Sequence, residues 1–302
     1  MPSTLGRPPR GDLALMAVGI VAVSTSGPLM AAAAAPALAV AEWRNVLAVG
    51  AIWPVALVTR RRELAGLSRR ELRWAIGAGV LLAGHFATWV PSLRYTSVAS
   101  ATAIVATQPV WVAIIARAMG HHVPRRTWLG ITISLVAVVV LTGVDFSLEP
   151  RALAGDVLAL LGGVFAAFYT VAGAEVRRTV STTSYTSICY STAAVVLLAV
   201  CLVGRVQLGG YDSKTWLQLV ALTVGAQLLG HSVFNVVLRT TSATVVSLAL
   251  LLEIPGAAVI AAAALHQTPP LAALPAAALL LLGLGIVIFS GGEDVEPSVP
   301  VE

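Results

Sequence analysis

Charge is scarce in this chain. Of its 302 residues only 11% are Asp, Glu, Lys or Arg, whereas 58% are hydrophobic and the mean hydropathy is +0.89. Soluble domains carry about 25% charged and about 45–50% apolar residues. No polar stretch is long enough to hold a soluble domain, so the chain reads as an integral membrane protein. Only two cysteines occur, Cys189 and Cys201. Twelve residues apart on one helix, they would lie about 18 Å from each other, too far to bond. A Gly-rich nucleotide loop is missing, which argues against ATP-driven work by this chain alone. An Asp-rich pair within an apolar run is missing too, which argues against a membrane prenyl transferase holding diphosphate through Mg²⁺. No enzyme, metal or cofactor is therefore expected. The net charge of +5 does not indicate nucleic acid, because the basic residues sit in short loops between apolar runs.

Ten such runs occupy most of the sequence: about 13–33, 37–58, 72–93, 98–119, 128–144, 157–174, 185–203, 216–238, 244–265 and 271–289. Each has roughly the 17–25 residues that cross a bilayer as a helix. The basic lead and alanine-rich end of the first run mimic a signal peptide. The run is near spanning length and has an internal counterpart, so it is expected to remain. The expected fold is an all-α membrane protein of ten transmembrane helices. A lead over residues 1–11 precedes a first five-helix repeat, 12–144. A linker, 145–155, precedes a second repeat, 156–290, and an acidic tail, 291–302, is expected to be disordered.

Lys and Arg set the orientation. With the N-terminus in the cytoplasm, inside segments hold fourteen of them and outside segments four; Arg44 lies within a run. That excess puts both termini in the cytoplasm. The halves also repeat. Gly11-Asp12 matches Gly155-Asp156, Gly84-His85 matches Gly230-His231, Leu93-Arg94 matches Leu238-Arg239, and Pro109 matches Pro255, at offsets of 144 to 146. Five spans per half is an odd number, so the halves must be inverted. Inverted repeats with polar, Pro-interrupted spans are typical of alternating-access transporters.

Polar groups inside the runs mark the candidate site. Gln227, His231 and Asn235 recur every four residues and would draw one stripe down a helix face. Glu253 lies about halfway along its run, two residues before Pro255. His85 and Trp89 share a face of the third run, and Gln108 precedes Pro109 in the fourth. Such groups are costly in a bilayer and face a bundle interior or a wet cavity. Interhelical hydrogen bonding is the structural alternative. Of the nearby aromatics Trp89, Phe168, Tyr169 and Phe234, some would pack against a solute. Trp43, Trp74, Trp128 and Trp216 read as interfacial anchors. His121 and His122 read as loop residues, not metal ligands.

The ten-span layout and a phrase used once per half carry a family resemblance. The phrase runs from Arg94-Tyr95-Thr96-Ser97 through Thr107-Gln108-Pro109 to Trp128-Leu129-Gly130, and again from Leu252-Glu253-Ile254-Pro255 to Gly283–Gly285. On these residues the chain resembles the EamA-type transporters of the drug/metabolite transporter superfamily. Arg44 matches an arginine common at that place. The family phrase usually has Glu directly before Pro; here Ile254 intervenes, and Gln108 stands in the first half. The Gly-Glu that often ends the fourth and ninth spans is replaced by Gly120-His121 and His266-Gln267.

The resemblance implies a secondary transporter in the inner or plasma membrane, exporting a small polar or amphipathic metabolite such as an amino acid or drug-like compound. Substrate binding is expected at His85, Trp89, Gln108, Tyr169, Gln227, His231 and Asn235, and Arg44 is expected as a structural charge. Glu253 is expected to take up and release a proton, the coupling ion this site admits. Two other readings remain at this stage. One is a membrane receptor or assembly protein that binds a solute without moving it. The other is a haem protein with His85 and His231 as axial ligands.

Overall fold

A computed structural model describes residues 8–92, 95–96, 98–142, 149–265 and 273–290, and every element among them is helical. Helices α1 (Arg10–Ser24) and α2 (Ser26–Ala32) share the first apolar run, α3 (Ala37–Thr59) takes the second, and short α4 (Arg61–Ala65) follows. Then come α5 (Arg69–Ser92), α6 (Val98–Val105), α7 (Gln108–Ala118), α8 (Arg125–Thr142), α9 (Pro150–Val176) and α10 (Thr182–Val203). The eighth run begins as α11 (Ser213–Leu222) and ends as α12 (Ser232–Val237). Helices α13 (Ala243–Leu250), α14 (Glu253–Leu265) and α15 (Ala273–Ser290) complete the order. The expected tail, residues 145–148 of the linker, and Leu93, Arg94, Ser97, His266 and Gln267 lie outside the described residues.

Helix starts follow local chemistry. Ser68 and Glu71 form a reciprocal capping box before α5, with Ser68 N–H to Glu71 Oε2 at 2.9 Å and Glu71 N–H to Ser68 Oγ at 3.2 Å. Ser181, Asp212 and Ser242 cap α10, α11 and α13 by accepting from a backbone N–H three residues on.

Two runs are broken at matching places. Pro109 and Pro255 lack the N–H that would bond four residues back. Tighter bonds take over: Thr107 N–H reaches Ile104 O at 3.1 Å, and Leu252 N–H reaches Ala249 O at 3.1 Å. The second half-helices start at Gln108 and Glu253, 145 positions apart. Gln108 and Glu253 are thus structural counterparts.

The eighth run departs from the regular α-helix expected for it. Thr223–His231 is a π-helix, in which each N–H reaches five residues back. Ser232 supports the wider turn, since its N–H and its hydroxyl both bond Gln227 O, the latter at 3.3 Å. Five helical stretches are long and apolar enough to cross a bilayer: Arg10–Met30, Arg69–Ser92, Pro150–Val176, Thr182–Val203 and Ser213–Val237. Ala103–Ala118, Ala243–Ala257 and Leu274–Phe289 are shorter apolar helices.

Small residues set the packing. A Cβ on Gly162 would lie 2.9 Å from Trp89 Cβ, one on Gly84 3.1 Å from Phe165, and one on Gly155 2.7 Å from Thr96 N. The paired numbers run in opposite directions, so α5 and α9 are antiparallel. The same arrangement recurs between α1 and the eighth run. There Gly19 meets Phe234, Gly230 meets Val23, and Asp12 accepts from Thr241 Oγ1 at 2.8 Å. A third antiparallel pair, α8 with α15, closes on Gly130 against Gly283 and Val287.

Polar contacts sort the loops into two ends. Asp12 joins Thr240 and Thr241, Glu63 accepts from Ser181 N–H at 2.6 Å, and Glu71 accepts from Thr179 at 2.7 Å. At the other end Trp43 donates to Leu208 O at 2.8 Å and packs edge-on to Trp216 at 4.8 Å. Arg151 lies there over the Tyr95 ring at 5.8 Å.

Candidate functional site

The site is centred on Arg44. Its helix α3 is apolar around it, and its side chain is 1% exposed. A buried guanidinium must be hydrogen-bonded to offset its desolvation. Arg44 Nε–H donates to Gln227 Oε1 at 2.9 Å, and the guanidinium lies over the Phe86 ring at 4.9 Å. Gln227 Nε2 in turn reaches Asn45 Oδ1 at 3.5 Å. Arg44 Nη2 has no partner. The charge lies within electrostatic reach of Glu253, His85, His231, Tyr169 and Tyr190. Five separated runs, the eighth through its π turn, therefore converge on one cation.

The Gln227–His231–Asn235 stripe divides its work. Gln227 and Asn235 are each 1% exposed and held by neighbours. Asn235 Nδ2 donates to the Tyr169 hydroxyl at 3.1 Å and approaches that of Tyr190 at 3.5 Å, while the Asn235 backbone carbonyl accepts from Arg177 Nε at 2.8 Å. Tyr190 continues to Ser232 Oγ at 3.4 Å. Between them His231 keeps part of its surface accessible, as do His85, Trp89, Gln108 and Glu253. The two ends of the stripe thus tie helices together, and its middle stays open.

His85 Nδ1 lies 2.9 Å from Gly162 O, and its ring stacks on Trp89 with centroids 5.5 Å apart. The Trp89 indole N–H has no partner. Gln108 Nε2 donates to Thr170 Oγ1 at 3.0 Å, one residue from Tyr169. Among the described residues no three His, Cys, Asp or Glu side chains form a metal-binding group. Two aromatics fall elsewhere than expected. Phe168 is 44% exposed, and Phe234 is buried against Gly19. Each is one residue from a polar partner of the network, so helical rotation points it away.

Sequence reasoning missed Asn45, Phe86, Tyr190 and Arg177. Asn45 had a signal, being adjacent to Arg44. Tyr190 lies among Thr186, Ser187, Ser191 and Thr192, whose hydroxyls all bond carbonyls of their own helix. That local bonding is common for Ser and Thr in membrane helices, and it hid the one phenol that reaches across. Glu42, near the start of the second run, is a buried carboxylate with Oε2 unpartnered.

The profile of the EamA-like transporter family matches residues 10–143 and again 153–289. A solved crystal structure superposes on 93% of this chain and 97% of its own, with a TM-score of 0.76 at 20% identity. At that identity the likeness shows a shared fold. No curated protein matches the sequence.

Proposed function

The chain belongs to the EamA-like transporter family and is a multi-pass membrane transporter of the drug/metabolite type; we propose that it moves a small polar or amphipathic solute outward by alternating access at the Arg44 cluster. The observation that carries this reading is the free Nη2 of a buried Arg44, in a cluster drawn from both halves. A cation in that position suits a solute carboxylate, as in an amino acid. The free Trp89 indole N–H is a second donor, and the stacked His85–Trp89 pair offers a flat apolar wall. Gln108 and His231 complete the accessible binding set in this proposal, with the buried Tyr169, Gln227 and Asn235 behind them.

Ten passes in two inverted repeats fit the matched breaks before Pro109 and Pro255 and the two matched antiparallel pairs. Half-helix junctions of this kind place backbone polar groups where they line a cavity. Exchange of the two halves' conformations would expose the cluster to each side in turn. The end with Arg60–Arg70, Arg125, Arg126, Arg177, Arg178 and Arg239 faces the cytoplasm in this reading. Cysteines replacing Arg62 and Gln207 should then label from opposite faces of sealed vesicles; labelling from one face would refute it.

Flux in sealed proteoliposomes is the test. Radiolabelled amino acids should accumulate under an imposed pH gradient, and Arg44→Met should abolish accumulation. Saturable binding without flux would leave a receptor, and neither binding nor flux would move the substrate out of this class.

A further inference from the structure

A second concavity lies away from the Arg44 cluster, at the end that carries the arginine-rich loops. It encloses about 330 Å³ between the end of α7, the start of α8, the end of α9 and the turn from α12 to α13. That volume is within the roughly 300–1,000 Å³ of small-molecule sites. Its floor is apolar, formed by Val112, Met119, Val171 and Leu238.

Its polar side has two features with no internal explanation. Thr127 lines the space and is 1% exposed, yet its hydroxyl has no partner. An unmade hydrogen bond on a buried hydroxyl is costly, and Thr127 borders a space from which a ligand could supply the partner. Arg239 lines the same space, and among the described residues no carboxylate pairs with it. The one acid in the lining, Glu175, is already held by Arg178 at 3.0 Å and Arg70 at 3.3 Å. Of the lining's carboxylate and guanidinium groups, Glu175 offsets Arg178, and the positive charge of Arg239 is left uncompensated. Thr244 adds a hydroxyl beside it, whereas those of Thr240 and Thr241 are already donated to Asp12.

We propose that this concavity binds an amphipathic anion, with its carboxylate or phosphate held by Arg239 and Thr127 and its apolar body on Met119, Val171 and Leu238. The apolar floor selects against small inorganic ions, and the unpaired arginine selects against cations. The site does not depend on what the Arg44 cluster does. Its occupant is either a free solute or the headgroup end of an anionic lipid, which share this chemistry.

Equilibrium dialysis of radiolabelled octanoate against the full-length protein in phosphatidylcholine nanodiscs, with empty nanodiscs as background, tests the site. Octanoate should bind saturably, and octylamine and octanol should not displace it. Arg239→Gln should weaken binding roughly tenfold, Thr127→Val should weaken it by about threefold, and Arg239→Lys should retain most of it. Arg239 is exposed at a helix end, so its replacement leaves the bundle intact. Arg44→Met should leave octanoate binding in place. Displacement by added phosphatidylglycerol assigns the site to a lipid, and failure to displace assigns it to a free solute. Absence of saturable binding, or binding indifferent to both Arg239→Gln and Thr127→Val, overturns the proposal. So does loss of binding in Arg44→Met alone, which would place octanoate in the central cluster.

Discussion

Arg44 and Gln227, 183 residues apart in sequence, meet through a 2.9 Å hydrogen bond between two nearly inaccessible side chains. Removing one partner of such a bond leaves the other unsatisfied, whereas replacing both with apolar groups of similar shape can be nearly neutral. Gln227→Leu should therefore destabilise the protein by roughly 1–3 kcal/mol. Arg44→Met combined with Gln227→Leu should be less destabilised than Gln227→Leu alone. Thermal unfolding in detergent reads both. Additive losses would show that the pair is not energetically linked.

Gly130 and Gly283 bring α8 and α15 into backbone contact. A Cβ on Gly130 would lie 2.5 Å from Gly283 O and 2.6 Å from Val287 Cγ2. A backbone oxygen cannot swing aside, so the helices must separate. Close approach through small residues is a main source of helix association in lipid. Gly130→Val should thus lower stability by about 1–3 kcal/mol, whereas Gly77→Val, with nothing within 4 Å, should change it little. Equal melting of the two variants would count against this contact.

The sequence read well where the physics is local. Apolar run length located every described helix except α4, which lies in a charged loop, and Pro109 and Pro255 located the two matching breaks, because a missing N–H acts within one turn. The tetrad spacing of Gln227, His231 and Asn235 picked out the central helix. It could not foresee the π turn, which depends on Ser232 bonding back to Gln227 and on Val23 pressing against Gly230. Nor did sequence spacing join Arg44 to this group. Arg44 lies near the start of its run, and no Lys or Arg falls within one turn of Glu253 in sequence. Partners 183 and 209 positions away become visible only once the helices are packed.

Glu71 ties the start of α5 to the turn after α9. Thr179 donates to its Oε1, and Ser68 donates to its Oε2 through both backbone N–H and hydroxyl. These bonds, that from Thr179 foremost, favour the carboxylate and hold its pKa below the ordinary 4.5. A depressed carboxylate contributes stability that is complete above its unfolded pKa and is lost as pH falls through the folded one. Protection of the first-turn amides of α5 should thus be constant above about pH 5 and fall below the ordinary carboxylate range. Hydrogen exchange in nanodiscs, corrected for intrinsic rates, measures this. Glu71→Gln should lower protection and remove the step. A step that persists in the Gln variant must come from another acid.

Glu253 and Gln108 begin the second half-helices of the two repeats, and only one of them can titrate. Within the proposed transport cycle that difference makes Glu253 the candidate proton carrier. Arg44 lies within electrostatic reach of Glu253, and Arg44 also has the free Nη2 that suits a solute carboxylate. A solute anion and the Glu253 carboxylate would then compete for one guanidinium, so binding of the solute favours protonation of Glu253 and its departure favours release of the proton. Such competition couples the two without any contact between them. Glu253→Gln keeps the shape and removes the titration. It should abolish accumulation driven by a pH gradient in reconstituted vesicles while solute binding persists, with reduced dependence on pH. Gln108→Leu, at the matching position, should weaken solute binding and leave the dependence on the gradient intact. If the Glu253→Gln variant still accumulates solute with the wild-type dependence on the gradient, the coupling site is not Glu253, and His85 and His231 become the groups to replace.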